Sequence, residues 1–217
     1  MEISVSLDPV SGEPELKNYL EELNEMSGIA IHLDVMDGVF VPRVSFPMDE
    51  YEYVIRNSVH PIDMHLMINN PDADLKMYAD IAKQGRVRSI CFHVEAQSAI
   101  VTEKLLKSLK DMDIMCGIAV DLPSKVSEMS LEVLSMCDVI TIMSVKCGAS
   151  GQSFNPEALE KVKAIHAINP TARIILDGGV SAENFDMVKR ASVNTAVMGS
   201  AFYKATDRKG LVAALTG

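Results

Sequence analysis

The sequence predicts a (β/α)8 (TIM) barrel, an α/β fold in a single domain spanning residues 1–217. Short apolar runs that read as strands recur eight times along the 217 residues. Most are near-continuous in Val, Ile, Leu and Met, the pattern of parallel strands covered on both faces. Helix-like stretches separate them at even spacing, and a barrel of this kind needs about 200 residues or more. The competing topology, an open doubly wound sheet, accounts less well for eight uniform repeats.

The expected strands are Ile3–Leu7, Ile29–Asp34, Ile62–Met67, Ser89–His93, Cys116–Val120, Val139–Met143, Arg173–Leu176 and Thr195–Met198. Between the first two, Pro14–Met26 carries Leu16, Leu20 and Leu23 at helical spacing. Pro71–Lys83, Ser98–Lys110, Lys125–Met136, Pro156–His166 and Ala182–Arg190 behave alike, and Pro47–Asn57 is shorter and less regular. Helix starts are signalled by Asn70-Pro71-Asp72, Asn155-Pro156-Glu157 and Ser181-Ala182-Glu183. No linker, charge run or low-complexity segment divides the chain.

Composition narrows the function. The net charge is −10, which argues against a nucleic-acid partner, since Lys and Arg supply most of that affinity. A small anionic substrate is still compatible, because local N–H groups and a metal outweigh the global field. No apolar run approaches the roughly 20 residues of a membrane span. The acidic start MEISVSLDPV lacks signal-peptide features, so a cytoplasmic protein with no membrane partner is expected. Cys91, Cys116 and Cys137 sit in apolar runs and read as reduced core thiols. Cys147 sits in a glycine-containing loop and is the one thiol to watch.

Barrel active sites form at the C-terminal ends of the strands. Asp34, His65 and Asp177 fall at such ends, and alternation turns His32 to the same side as Asp34. These four can converge on one divalent metal ion, and His2Asp2 suits Zn2+, Fe2+, Mn2+ or Co2+. Such an ion can stabilise an enediolate, with one carboxylate removing a proton and the other returning one on the opposite face. The net reaction is epimerisation. A lone strand histidine is more often a satisfied core residue, but four candidates at matching positions weaken that reading. His93 reads equally as structural support or substrate contact, and Glu95 is ambiguous in the same way. Asp37 before Gly38 reads as a turn residue, while His60 and His166 read as surface or helix-end residues.

Three glycine loops follow consecutive strands: Gly148-Ala149-Ser150-Gly151, Gly178-Gly179 and Gly199-Ser200. Barrels commonly hold phosphate in the last two of these places, where backbone N–H groups approach the oxygens.

HLDVMDGVFVP (32–42), DMHLMINNP (63–71), FHVEA (92–96), MSVKCGASGQSF (143–154), LDGGV (176–180) and MGSA (198–201) resemble the ribulose-phosphate 3-epimerase family. The likeness runs in order from Ser4–Ser6 to the last strand. It implies a barrel that interconverts D-ribulose 5-phosphate and D-xylulose 5-phosphate. It also implies a homo-oligomer. His32, Asp34, His65 and Asp177 match the family's metal ligands, with Asp34 as proton acceptor and Asp177 as proton donor. Ser6 and His65 match substrate contacts, and Gly148, Ala149, Ser150, Gly151, Gly178, Gly179, Gly199 and Ser200 match the phosphate and substrate loops. Met36, Met67 and Met143 match methionines beside the metal, or fill core.

The departures gather at the rim. Val39 stands for the usual His and Arg43 for Asn. KCGASGQ replaces NPGFGGQ, which changes Lys146, Cys147, Ala149 and Ser150, and Asp121 precedes the proline after strand five. Arg43 and Lys146 add two cations able to meet an anionic substrate. The rival readings are a D-allulose 6-phosphate (hexulose phosphate) 3-epimerase and a non-catalytic sugar-phosphate-binding barrel. A decarboxylase or aldolase barrel ranks below both, because no DxKxxD cluster is present.

Overall fold

Eight parallel strands pair in chain order and close on themselves in the computed structural model, which describes residues 1–10, 12–148 and 151–217. The strands are β1 (Glu2–Ser6), β2 (Ile29–Met36), β3 (Ile62–Met67), β4 (Val87–His93), β5 (Met115–Val120), β6 (Val139–Met143), β7 (Arg173–Asp177) and β8 (Thr195–Met198). The helices between them are α1 (Glu13–Asn24), α2 (Met48–Asn57), α3 (Pro71–Ala82), α4 (Ala99–Lys110), α5 (Leu131–Met136), α6 (Ala158–Ile168) and α7 (Phe185–Arg190). Two more, α8 (Ser200–Tyr203) and α9 (Arg208–Thr216), follow β8. The fold is the expected (β/α)8 barrel.

Every residue of β2, β3 and β6 is buried, which explains their unbroken apolar spelling. Outward-facing Ile31, Leu33, Ile90, Phe92, Ile140 and Leu176 pack under the helices in the main core, with Leu16, Leu20 and Leu23 of α1. The alternate residues Cys91, Ala119, Val139, Ile175 and Val197 form a separate apolar layer filling the barrel interior.

Local hydrogen bonding moved three helix boundaries. Met129 is extended (φ −91°, ψ 152°) and Ser130 caps Val133 N–H at 3.3 Å. The expected helix Lys125–Met136 is therefore a 3-10 turn (Val126–Glu128) followed by the short α5. Asn155 Oδ1 accepts Glu157 N–H at 2.9 Å, and this turn delays α6 to Ala158. Asn184 Oδ1 accepts Ser181 N–H at 2.9 Å and delays α7 to Phe185. His60, expected at the surface, is buried, and its Nε2 lies 2.8 Å from Leu23 O. His166 meets Ser192 O at 3.1 Å from the end of α6, as its position suggested.

One irregularity shapes the N-terminal mouth of the barrel. Ile62 pairs with Val87 and Asp63 with Ser89, so Arg88 is an extra residue on β4. The bulge turns its side chain to Asp63, with Nε–Oδ1 2.9 Å and Nη2–Oδ2 2.7 Å. Arg173 reaches the same carboxylate at 3.0 Å, and both arginines also pair with Glu2. Two carboxylates and two guanidiniums thus seal this end.

Candidate active site and metal centre

Strand register delivers the functional side chains to the opposite mouth. Ser6 pairs with His32, Asp34 with His65, and Met143 with Asp177. Alternation along β2 turns His32 and Asp34 inward together. His32 and His65 are fully buried and Asp34 is 7% exposed.

Four side chains meet at one point, with donor atoms all within 4.8 Å of one another. His65 Nδ1 lies 3.1 Å from Asp34 Oδ1 and 3.5 Å from Asp177 Oδ2. His32 Nε2 lies 3.4 Å from Asp34 Oδ1, 3.5 Å from Asp177 Oδ2 and 3.3 Å from His65 Nδ1. A tetrahedron with arms of about 2.0–2.1 Å has edges of about 3.3–3.4 Å, so the spacing and the nitrogen–oxygen donor set fit a divalent ion.

Electrostatics point the same way. Burial opposes charge on both histidines, yet Asp34 and Asp177 outweigh it and hold His32 well above its ordinary value and His65 above its own. Burial likewise opposes ionisation of the two acids, and the imidazoles overcome it and lower both. The centre of the cluster favours positive charge, whether carried by protons or by a metal.

Neighbours aim the acids. Ser6 Oγ donates to Asp34 Oδ2 at 2.9 Å, leaving Oδ1 for the centre. Tyr51 OH donates to Asp34 O at 3.2 Å and also meets Ser45 Oγ, which accepts Met36 N–H at 2.8 Å. Ser144 N–H and Oγ hold Asp177 O at 2.7 and 2.9 Å. Ser45, Tyr51 and Ser144 were not singled out in the sequence. They act through backbone N–H and C=O groups, and such contacts leave no spacing pattern.

A cavity of about 200 Å3 opens over Asp34 and Asp177. Ser6, Met36, Met67 and Met143 line it beside the acids, and Gly148, Gly151, Gly178, Gly179, Gly199 and Ser200 line it beyond them. Ala149 and Ser150 lie outside the described residues. Gly178 has φ +109°, and a Cβ there would sit 2.3 Å from Val145 Cγ2. Gly179 has φ +64°, and a Cβ there would sit 2.5 Å from Phe154 N. Both positions require glycine for conformation and for space.

The rim residues separate. Lys146 is exposed and lines the cavity. Arg43 instead pairs with Asp8, Nη1–Oδ1 2.6 Å, and donates to Asp8 O at 3.2 Å. Of the two added cations, only Lys146 lines the cavity. Val39 points to solvent. Asp37 accepts the N–H groups of Val39, Phe40 and Asn69 at 2.7–2.8 Å, the loop-tying role its Gly38 neighbour suggested. Burial pushes the Cys147 thiol up to about 12, so it is not a reactive thiolate.

His93 does not line the cavity. It stands behind His65, with its Nε2 3.0 Å from His65 Nε2 and its Nδ1 3.0 Å from Glu95 Oε2. The Phe40 ring lies against it, tilted by 37° with centroids 4.7 Å apart. Glu95 Oε1 accepts Asp121 N–H at 2.8 Å. Burial resists ionisation of Glu95, but His93, Ser124 and this N–H lower it to about 2.

Fold and site together define a barrel enzyme with paired carboxylates under a pocket rimmed by glycine loops. The chain belongs to the ribulose-phosphate 3-epimerase family, whose sequence model matches residues 3–203, and it is accordingly an epimerase. It is 35% identical to the ribulose-phosphate 3-epimerase of Mycobacterium leprae over 189 residues, 85% of this chain and 81% of that protein. The Aquifex aeolicus protein of the same name is 31% identical over 181 residues, covering 82% and 78%. Among solved structures, a mutant tryptophan synthase alpha-subunit from Pyrococcus furiosus superimposes with TM-score 0.69 at 16% identity, covering 99% and 95% of the two chains. That likeness concerns the barrel alone.

Proposed function

We propose that this protein interconverts D-ribulose 5-phosphate and D-xylulose 5-phosphate by epimerisation at C3, with one divalent metal held by His32, Asp34, His65 and Asp177. The observation that carries this reading is the pair Asp34 and Asp177, both bridged to His65 Nδ1 and both lining one cavity. When bound, the ion supplies Lewis acidity that stabilises negative charge on adjacent substrate oxygens.

The chain's own groups do the rest. Asp34, aimed by Ser6 Oγ and held below its ordinary value by His32 and His65 against the effect of burial, takes the C3 proton through a carboxylate oxygen. Asp177 serves the opposite face: the pair shares one proton, so as Asp34 takes the C3 proton, Asp177 gives up the one it carries and the total charge of the pair is unchanged. The backbone N–H groups of Gly178, Gly179, Gly199 and Ser200 are suited to the phosphate, and Lys146 adds a cation at the same rim. Met36, Met67 and Met143 keep water from the reacting carbon.

Incubation of zinc- or manganese-loaded protein with D-ribulose 5-phosphate in D2O should place deuterium at C3 and produce D-xylulose 5-phosphate. Binding without exchange would instead support a non-catalytic binding barrel. The position of Lys146 makes a panel worthwhile. Faster turnover of D-allulose 6-phosphate than of the pentose phosphate would reassign the substrate to a hexulose.

A further inference from the structure

The two histidines of the cluster are held differently. His32 Nδ1, turned away from the centre, is buried and finds no hydrogen-bond partner among the described residues. His65 is backed by an unbroken string: Asp121 N–H, Glu95 Oε1 and Oε2, His93 Nδ1, His93 Nε2, His65 Nε2. We propose that Glu95 and His93 are positioning residues that fix the tautomer of His65, so that its Nδ1 lone pair faces the centre of the cluster. This rests on the proposed metal site.

The direction of each bond follows from its neighbour. The Asp121 amide is only a donor, so Glu95 Oε1 accepts. The ionised carboxylate offers no proton, so the second bond is His93 Nδ1–H donating to Oε2. A neutral imidazole protonated at Nδ1 is bare at Nε2, so His93 Nε2 accepts. His65 must then donate through Nε2–H, so when the ring is neutral, as a metal ligand must be, Nδ1 is the nitrogen without a proton. Nδ1 is the atom lying 3.1 Å from Asp34 Oδ1 and 3.5 Å from Asp177 Oδ2. The string sets which nitrogen carries the proton, not how many protons the ring holds. Metal-binding histidines depend on such partners for ring orientation and donor strength. Burial and the Phe40 ring keep water from competing for the His93 bonds.

Glu95→Gln tests this with almost no change in shape. The carbonyl of the new amide must take over the Asp121 N–H, which turns its NH2 toward His93 Nδ1. That bond then runs backward: His93 accepts at Nδ1, carries its proton on Nε2, and can no longer accept the Nε2–H that His65 bears when its Nδ1 faces an ion. Zinc affinity, measured by competition with a chromogenic chelator, should fall about 10–100-fold. The melting temperature of the metal-free protein should stay near that of the parent. Ser124→Ala removes another donor to the same carboxylate and reverses nothing, so its zinc affinity should match the parent. Long-range 1H–15N spectra of the zinc-loaded parent, labelled at histidine, should show His93 protonated at Nδ1 and bare at Nε2. Parent-like zinc affinity in Glu95→Gln, or a loaded parent with His93 protonated at Nε2, overturns the proposal while leaving the metal site standing. A parent that binds no zinc, or whose zinc affinity survives Asp177→Asn, overturns the metal site and this proposal with it.

Discussion

The two mouths of the barrel hold similar acids in opposite company. At the N-terminal mouth, Glu2 and Asp63 face Arg88 and Arg173, whose charges are permanent. At the C-terminal mouth, Asp34 and Asp177 face His32 and His65, whose charge depends on protons and whose ring nitrogens could hold a metal instead. Burial is comparable, with Asp63 at 2% and Asp34 at 7% exposure. A buried acid with a fixed cation is finished structure. A buried acid whose counter-charge must be supplied is available for chemistry.

Substitution at each mouth should expose this contrast. Asp34→Asn should lower kcat about 10²–10⁴-fold, the usual span for loss of a general acid or base, while thermal unfolding shows the fold retained. Near-parent turnover in steady-state assays would erase the distinction between the mouths. Asp63→Asn should do the reverse. It leaves two guanidiniums, 19% and 25% exposed, with Glu2 as their one carboxylate, and should cost about 3 kcal/mol in urea unfolding, with kcat unchanged in the folded fraction.

The smallest effect is in pH. Asp63 lies below its ordinary 3.8, because its arginine bonds outweigh burial, and Glu2 lies below its ordinary 4.5 for the same reason. A depressed carboxylate contributes stability that is complete above the unfolded value and lost as pH falls through the folded one. Stability should therefore decline as pH drops below these ordinary values. Urea midpoints across a pH series should fall less steeply for Asp63→Asn than for the parent. Equal slopes would mean that the N-terminal mouth does not govern acid unfolding.

The same division explains what the sequence made legible. The strands could be read because burial on both faces writes continuous apolar runs. The four cluster residues could be read because barrel sites sit where those runs end. The N-terminal seal could not be read that way, because Glu2, Asp63, Arg88 and Arg173 begin different strands and one of them arrives through a bulge. His93 and Glu95 could be named but not assigned, since only the distances put them behind His65 rather than in the cavity. Helix starts failed where asparagine side chains capped a turn instead of a helix, at Asn155 and Asn184. The helices α8 and α9 followed the last expected strand and were not foreseen; Asp207 caps the second through Gly210 N–H at 2.8 Å.

Strands β2 and β3 are neighbours, but β7 is separated from β2 by β8 and β1 on one side and from β3 by β4, β5 and β6 on the other. The donor set therefore belongs to the circumference and not to any segment of it. A fragment ending before β7 can keep His32, Asp34 and His65 but never gathers the fourth group. Whatever binds at the centre rewards closure of the whole ring, by mass action on the one state that presents all four donors. Loosening β8 would disperse the four donors while most helices still stood, so under the proposed metal site loss of bound ion would be the earliest report that the ring has opened.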